Sequence, residues 1–497
     1  MTGSTLPGAL AALFAALWLL AEPARAQPAG AVLPAMVQAE LERARLPADA
    51  LVAWIAELGP APLPPRLLHH ADLPVNPASL MKLYSTGAAL ELLGPAWTWT
   101  TPVLATGPVE DGVLRGDLAI QGRGDPSLTI ERLWLLLREL RQRGVREVQG
   151  DIVLDGSAFA LAPRDPGAFD GERHRPYNVQ PDALLLNLKA ITLAFVPEPA
   201  RGVARVVADV ALAGVQVDAT VPLTPGACGD WRGSLKADFD DPAWLRFAGG
   251  YPWACGERRW PVAYTEPASY NARLVDAAWR ELGGRIGGQV RNGTAPTGAT
   301  LLFEATSPPL AAVMRDINKF SNNPMAEQLF LTLGLLPPVP DARGCCAMPG
   351  TPPPDTRLAA RERVQALVRE RTGCAADELR IDNGSGLSRD ARSSARCLGA
   401  WLQALWVSPA MPELMSSLPV TGIDGTARRP GRAWGGAQGR AHLKTGSLRD
   451  VMGLAGYVLG ESGRRYALVA VVNHPDAGAA RPALDALVRW CAEDLPR

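Results

Sequence analysis

Ser79-Leu80-Met81-Lys82 is the stretch on which the reading turns, and two others follow it along the chain, Ser321-Asn322-Asn323 and Lys444-Thr445-Gly446. Together they supply the full set of groups needed for acyl transfer through a serine. Asn76 and Pro77 suit the start of a helix, Leu80, Leu83, Ala88, Leu90 and Leu93 give it an apolar face, and Gly94-Pro95 stops it. Ser79 is therefore expected to open a helix, where the dipole favours developing negative charge, with Lys82 one turn on along the same face. A serine hydroxyl is a weak nucleophile until a neighbour takes its proton. A lysine does this only when partly neutral, a state promoted by burial and by a nearby cation such as Lys444. Lys82 is accordingly the candidate general base. A surface helix with an exposed Ser and Lys carries the same letters, and the order and context of the other two motifs separate the readings.

Lys444-Thr445-Gly446 lies in a strand-like run, Ala441 to Leu448, followed by two more, Val451 to Leu459 and Tyr466 to Asn473, with turn-prone residues between them. A three-stranded antiparallel set is expected. Gly446 lets a substrate backbone approach the strand edge, Lys444 and Thr445 offer a cation and a hydroxyl to a carboxylate, and the Ser447 amide can point at an oxyanion. An ordinary strand with a polar edge is the bland alternative. Ser321-Asn322-Asn323 falls between an expected helix over Pro309 to Phe320 and another over Met325 to Leu333. From that loop Ser321 can relay a proton between Lys82 and a leaving amine, and the Asn323 amide can bind a substrate peptide group. The same triplet is also a common helix-capping string.

With these residues in view, the chain resembles the penicillin-binding D-alanyl-D-alanine carboxypeptidase/endopeptidase family of low molecular mass that carries a large insertion. The matching stretches include Asn76-Pro77-Ala78-Ser79, Gly116-Asp117-Leu118, Gly122 to Pro126, Gly150 to Phe159, Pro176-Tyr177-Asn178, Asn383 to Arg389 and Gly422 to Thr426. Ser79 and Ser321 stand 242 positions apart, farther than a compact β-lactamase places them, and the excess resembles the family's inserted region. The resemblance implies an α+β fold, an antiparallel sheet flanked by helices of the penicillin-binding/β-lactamase-like type. It implies peptidoglycan stem peptides as substrate, β-lactam antibiotics as inhibitors and no cofactor. It also makes Asp155 and Arg389 candidates for reading the free charged groups of diaminopimelate in cross-linked peptides; a capping Asp and a surface Arg are equally good readings. Two rivals remain: a serine β-lactamase, against which the long insertion argues, and a non-catalytic peptidoglycan-binding protein. The intact Ser79, Lys82 and Lys444 argue against the second.

The organisation follows from changes in pattern. Leu51 to Leu58 and Arg66 to Leu73 read as a hairpin, and residues 27–98 with 263–497 as the acyl-transferase domain. Residues 99–262 read as a mainly β insertion of two subdomains, with one helix near Thr129 to Arg143; helices resume at Ser269 to Leu282. At 497 residues and 47% hydrophobic, the chain can bury more than one core. Lys+Arg and Asp+Glu are both 50, so no excess of basic charge points to nucleic acid.

Residues 9–21 are apolar and Ala24-Arg25-Ala26 has small residues where a signal peptidase reads, so 1–26 is expected to be a secretory signal into the periplasm. That run is shorter than the roughly 20 residues a transmembrane anchor needs, and no later segment reads as a span. Among seven cysteines, Cys228 and Cys255 are expected as a disulfide. Cys345-Cys346 with Cys374 read as a loop disulfide in a Pro-rich segment, Pro337 to Asp355, and not as a metal cluster, since no paired ligand spacing accompanies them. The five histidines likewise show no metal-ligand spacing.

Overall fold

Strand residues with a period of two build the centre of the molecule. The computed structural model describes residues 32–337, 354–428 and 434–494. The expected signal, and Cys345 and Cys346 with most of their loop, lie outside the described residues. A five-stranded antiparallel sheet runs in the order Pro65–His69, Leu51–Glu57, Arg465–Asn473, Val451–Leu459, Ala441–Leu448. The hairpin and the three C-terminal strands read from the sequence are thus one sheet, joined where Leu51 pairs with Val472.

Alternation along these strands feeds two cores, as a pleated strand buried on both faces requires. Val52, Trp54, Ala56, Val469 and Val471 face one side with the helices Lys82–Leu93, Asn323–Gly334, Thr356–Thr372 and Ala395–Trp406. Leu51, Ala53, Ile55, Leu468 and Ala470 face the other, covered by Ala35–Arg43 and Arg481–Glu493. Contact is tight on the first side: a Cβ on Gly399 would come within 2.2 Å of the Trp54 ring. Truncating Trp54 to Ala would leave a cavity costing about 3 to 5 kcal/mol. Helix Asn323–Gly334 is buried at every position, which explains its mainly apolar sequence and makes its one charged residue, Glu327, conspicuous.

The second body differs from the expected boundary. It was expected to close at 262, but helix Pro267–Glu281 buries Tyr270, Leu274, Val275 and Trp279 in its core, and strand Thr300–Thr306 pairs with Thr100–Ala105. Residues 100–306 therefore share one apolar cluster, and the helix at 267 belongs to the insertion because its apolar stripe faces that cluster. Its strands form four sheets, two of them five-stranded, with smaller three- and four-stranded sheets beside them. One five-stranded sheet is ordered Val290–Asn292, Ile152–Asp155, Leu118–Gln121, Thr100–Ala105, Thr300–Thr306; the other is built on Ala190–Glu198, Val203–Ala208 and Arg258–Ala263.

Cys228 and Cys255 form a disulfide within the insertion. Cys374 pairs with Cys397, not within the Pro-rich loop, because the end of helix Thr356–Thr372 packs beside the start of Ala395–Trp406. Cys491 is a buried free thiol. Among the described residues no helix is long and apolar enough to cross a membrane, and no three metal-ligating side chains come together.

Candidate active site

Ser79 does not sit in the α-helix proper. It lies in a 3-10 turn, Ala78–Met81, and the α-helix starts at Lys82. Asn76 is the reason. Its Oδ1 accepts from Ala78 N at 2.9 Å, its Nδ2 donates to Ser388 O at 2.8 Å, and its backbone is clasped by Asn473, Oδ1 at 2.9 Å and Nδ2 at 3.0 Å. The local bond at Ala78 holds that residue at φ 48°, a left-handed conformation that bends the chain just before the serine. Asn76 therefore shapes a turn where capping was expected.

Lys82 is fully buried and its Nζ makes three contacts: Ser79 Oγ at 3.0 Å, Asn323 Oδ1 at 2.6 Å and Ser385 O at 2.6 Å. Two of these partners are carbonyl oxygens, which only accept. A neutral amine has two protons, and placing them on Asn323 and Ser385 leaves its lone pair aimed at the Ser79 hydroxyl. Burial, reinforced by the charge of Lys444, holds the Lys82 amine well below its ordinary range; Glu327 works in the opposite direction. The candidate base of the sequence is thus buried beside the Ser79 hydroxyl, with its amine held below the ordinary lysine range.

The other two motifs converge here in altered roles. Ser321, at φ 57°, offers its Oγ to Lys444 Nζ at 2.8 Å, so its direct partner is Lys444 where Lys82 was expected. Asn322 caps the following helix, its Oδ1 accepting from Met325 N at 3.1 Å, and this delivers Asn323 as the first helical residue facing Lys82. The Asn323 amide, expected to meet substrate, gives its oxygen to Lys82 and its Nδ2 to Tyr177 O at 3.4 Å. Lys444 also donates to Thr445 O at 2.7 Å, and burial brings its amine down to about 7. Thr445 Oγ1 donates to Thr426 Oγ1 at 2.7 Å. A Cβ on Gly446 would stand 2.9 Å from Pro77 O, so the strand edge lies directly beside the nucleophile turn, with Ser447 next to it and exposed.

Asp155 and Arg389 part company. Asp155 is buried and accepts from Ser157 N, Ala295 N and Gln121 Nε2 at 2.9, 3.0 and 3.2 Å. Burial pushes its carboxyl up, but these bonds outweigh it and hold it below the usual carboxylate range. Both oxygens are spent inside the insertion, which corrects the expectation that Asp155 reads a substrate charge. Arg389 stands at the rim, paired to Asp450 at 3.0 Å and stacked 4.5 Å from the Phe169 ring. Phe169 and Tyr177 come from the insertion, which therefore supplies one wall of the site.

No side-chain motif marks a role for Ser385, Glu327, Tyr177 or Thr426. Ser385, Tyr177 and Thr426 lay in stretches that matched the family, yet the first two act through backbone carbonyls that no side-chain motif reveals. Glu327 had one signal, the only charge in a fully buried helix.

A serine beside a buried lysine, a second lysine-serine pair and a glycine-bearing strand edge, set on this sheet, fit a serine peptidase of the penicillin-binding class. The chain belongs to the D-Ala-D-Ala carboxypeptidase 3 (S13) family, whose model matches residues 66–494. It is 26% identical over 419 residues to the D-alanyl-D-alanine carboxypeptidase DacB of Haemophilus influenzae, covering 81% of each chain. It is 28% identical over 439 residues to the D-alanyl-D-alanine carboxypeptidase of Actinomadura sp., covering 84% of this chain and 77% of that one. The crystal structure of penicillin binding protein 4 from Haemophilus influenzae superposes with a TM-score of 0.70 at 22% identity, over 91% of this chain and 99% of the other.

Proposed function

We propose that the chain cleaves the terminal D-Ala-D-Ala bond of peptidoglycan stem peptides through an acyl-serine, and also opens peptide cross-links, in the periplasm after export. The observation that carries this is the geometry at Lys82: a buried amine with two fixed acceptors and one hydroxyl partner is set to take a proton from that hydroxyl.

The peptide lies along the strand Ala441–Leu448, its terminal carboxylate near Lys444 and Thr445. Lys82 takes the Ser79 proton as Oγ bonds to the penultimate D-Ala carbonyl carbon. The amides of Ser79 and Ser447 hold the oxyanion. Ser321 passes its proton to the departing amine of D-Ala and is resupplied by Lys444, 2.8 Å away. Water then attacks the acyl carbonyl, its hydroxyl joining the peptide and its proton returning to Ser79 Oγ, and the proton held by Lys82 replaces the one Lys444 gave up, so that the cycle closes. A β-lactam presents a strained amide to the same serine, and its ring-opened acyl product keeps the leaving nitrogen attached. In a cross-link the leaving amine belongs to the D-centre of diaminopimelate, whose zwitterionic end would meet Arg389 at the rim.

Intact-mass measurement with benzylpenicillin tests this reading: one adduct of the drug's mass is expected at Ser79 and none in Ser79→Ala. Labelling that survives this substitution would reject it. Muropeptide digests with purified enzyme, monomeric and cross-linked, separate the two activities.

A further inference from the structure

We propose that Glu327 is a positioning residue for the amine of Lys82, acting through the loop that carries Ser385 and through its charge beside that amine. The inference deepens the acyl-serine reading and rests on it.

Glu327 lies one turn after Asn323 on the buried helix Asn323–Gly334, so both project from the same face. Asn323 reaches Lys82 directly. Glu327 reaches it through Ser385, whose Oγ lies 3.2 Å from Glu327 Oε1 and whose backbone O accepts from Lys82 Nζ at 2.6 Å. The loop has little room for error. Gly386 has φ 81°, and a Cβ there would come within 1.9 Å of Ala78 O and 3.0 Å of Ser79 N. A shift of Ser385 thus moves the lysine's acceptor and the nucleophile turn together, and misplacements near 1 Å cost large factors in rate.

Ser385 Oγ also lies 3.0 Å from Asn383 Oδ1 and accepts from Leu387 N at 3.2 Å. Its single proton therefore goes either to Glu327 or to Asn383. With Glu327 ionised, Ser385 donates to the carboxylate; with Glu327 protonated, the carboxyl donates to Ser385, which turns to Asn383. The loop is held in both states.

The charged groups around Glu327 are Arg357, at 3.7 Å from Oε2, with Arg164 and Asp382 farther off; Arg361 is bound to Asp382, and Lys444 acts on Lys82. Burial raises the Glu327 carboxyl, and Arg357 and Arg164 draw it back down. Its negative form favours the cationic form of Lys82. Removing that charge lets the amine become neutral at lower pH.

The test is the pH profile of the second-order rate of acylation by benzylpenicillin, measured on the full chain. Glu327→Gln keeps an oxygen for Ser385 and removes the charge; the acid limb of its profile is expected to move to lower pH by about half a unit or more. Ser385→Ala keeps the charge and removes the link, so the plateau rate is expected to fall roughly tenfold with the limb in place. A Glu327→Gln profile superimposed on that of the wild type overturns the proposal. So does a Ser385→Ala plateau equal to the wild type, a result available even if the first variant fails to fold. Either failure leaves the acyl-serine reading intact as long as the wild-type adduct maps to Ser79.

Discussion

Asn323 and Tyr177 join the two bodies of the molecule at Lys82: the amide whose oxygen accepts a hydrogen bond from Lys82 Nζ at 2.6 Å donates through its nitrogen to Tyr177 O at 3.4 Å. One side chain thus ties the position of the base to a loop of the insertion. The insertion is part of the active site, and a second contact, Phe169 beneath Arg389, repeats the connection at the rim.

Lys82→Arg should abolish most acylation. The guanidinium stays charged at all working pH and cannot take the Ser79 proton, so the loss is on the order of 10² or more, as expected for removal of a general base. Stopped-flow acylation with a fluorescent penicillin checks it, and near-normal rates at pH 7 would place the base elsewhere.

Gly386→Ala should disable the site while sparing the rest of the fold. The left-handed backbone and a Cβ 1.9 Å from Ala78 O force the loop away from the nucleophile turn. Strain of about 1 to 3 kcal/mol is expected in thermal unfolding, with a disproportionate loss of acylation. Acylation that falls no more than stability predicts would show that the loop can retreat without consequence.

Lys444→Met should stabilise the protein near neutrality while removing activity. The folded amine titrates at about 7, well below its ordinary 10.5 when unfolded. Below pH 7 both states carry the proton and the folded state bears the full cost of the buried charge. Between pH 7 and 10.5 only the unfolded state holds it, so wild-type stability rises with pH across that window. The advantage of Lys444→Met, a few kcal/mol at most after its lost hydrogen bonds, is therefore largest at or below pH 7 and shrinks toward pH 10. Melting temperatures of both proteins across this range give the answer; a constant difference would mean that Lys444 titrates normally.

Arg389→Ala and Asp155→Ala should behave differently. Loss of the rim cation is expected to lower kcat/KM for cross-linked muropeptides with diaminopimelate roughly 10 to 150-fold, about 1.5 to 3 kcal/mol, and to leave penicillin acylation nearly unchanged. Asp155→Ala orphans the Ser157 and Ala295 amides and should lower the melting temperature with no preference between substrates. A substrate-selective loss in Asp155→Ala would restore it to the binding site.

The amino-acid sequence alone singled out the residues that converge. Ser79, Lys82, Ser321, Asn323 and Lys444 come together because each motif fixes its own local element: a helix start, a capped loop, a strand. Apolar runs bounded by turn-prone residues, at Leu51 to Leu58 and across the three C-terminal stretches, likewise marked the strands, since such runs are a local property; that hairpin and C-terminal strands join in one sheet was decided by the fold. Which partner each group takes was decided by tertiary structure. Ser321 faces Lys444, and Asn323 faces Lys82, because a buried helix and a strand edge cross at one angle and not another. Ser385 and Tyr177 contribute carbonyls, which every residue possesses, so no letter announces them. Asp155 and Arg389 looked alike as charged residues in matching stretches, and only burial separated them, one enclosed by hydrogen bonds and the other left at the rim. The end of the insertion shows the same limit. A helix at Pro267–Glu281 declares its apolar stripe in sequence, but the core that the stripe faces exists only once distant strands have closed around it.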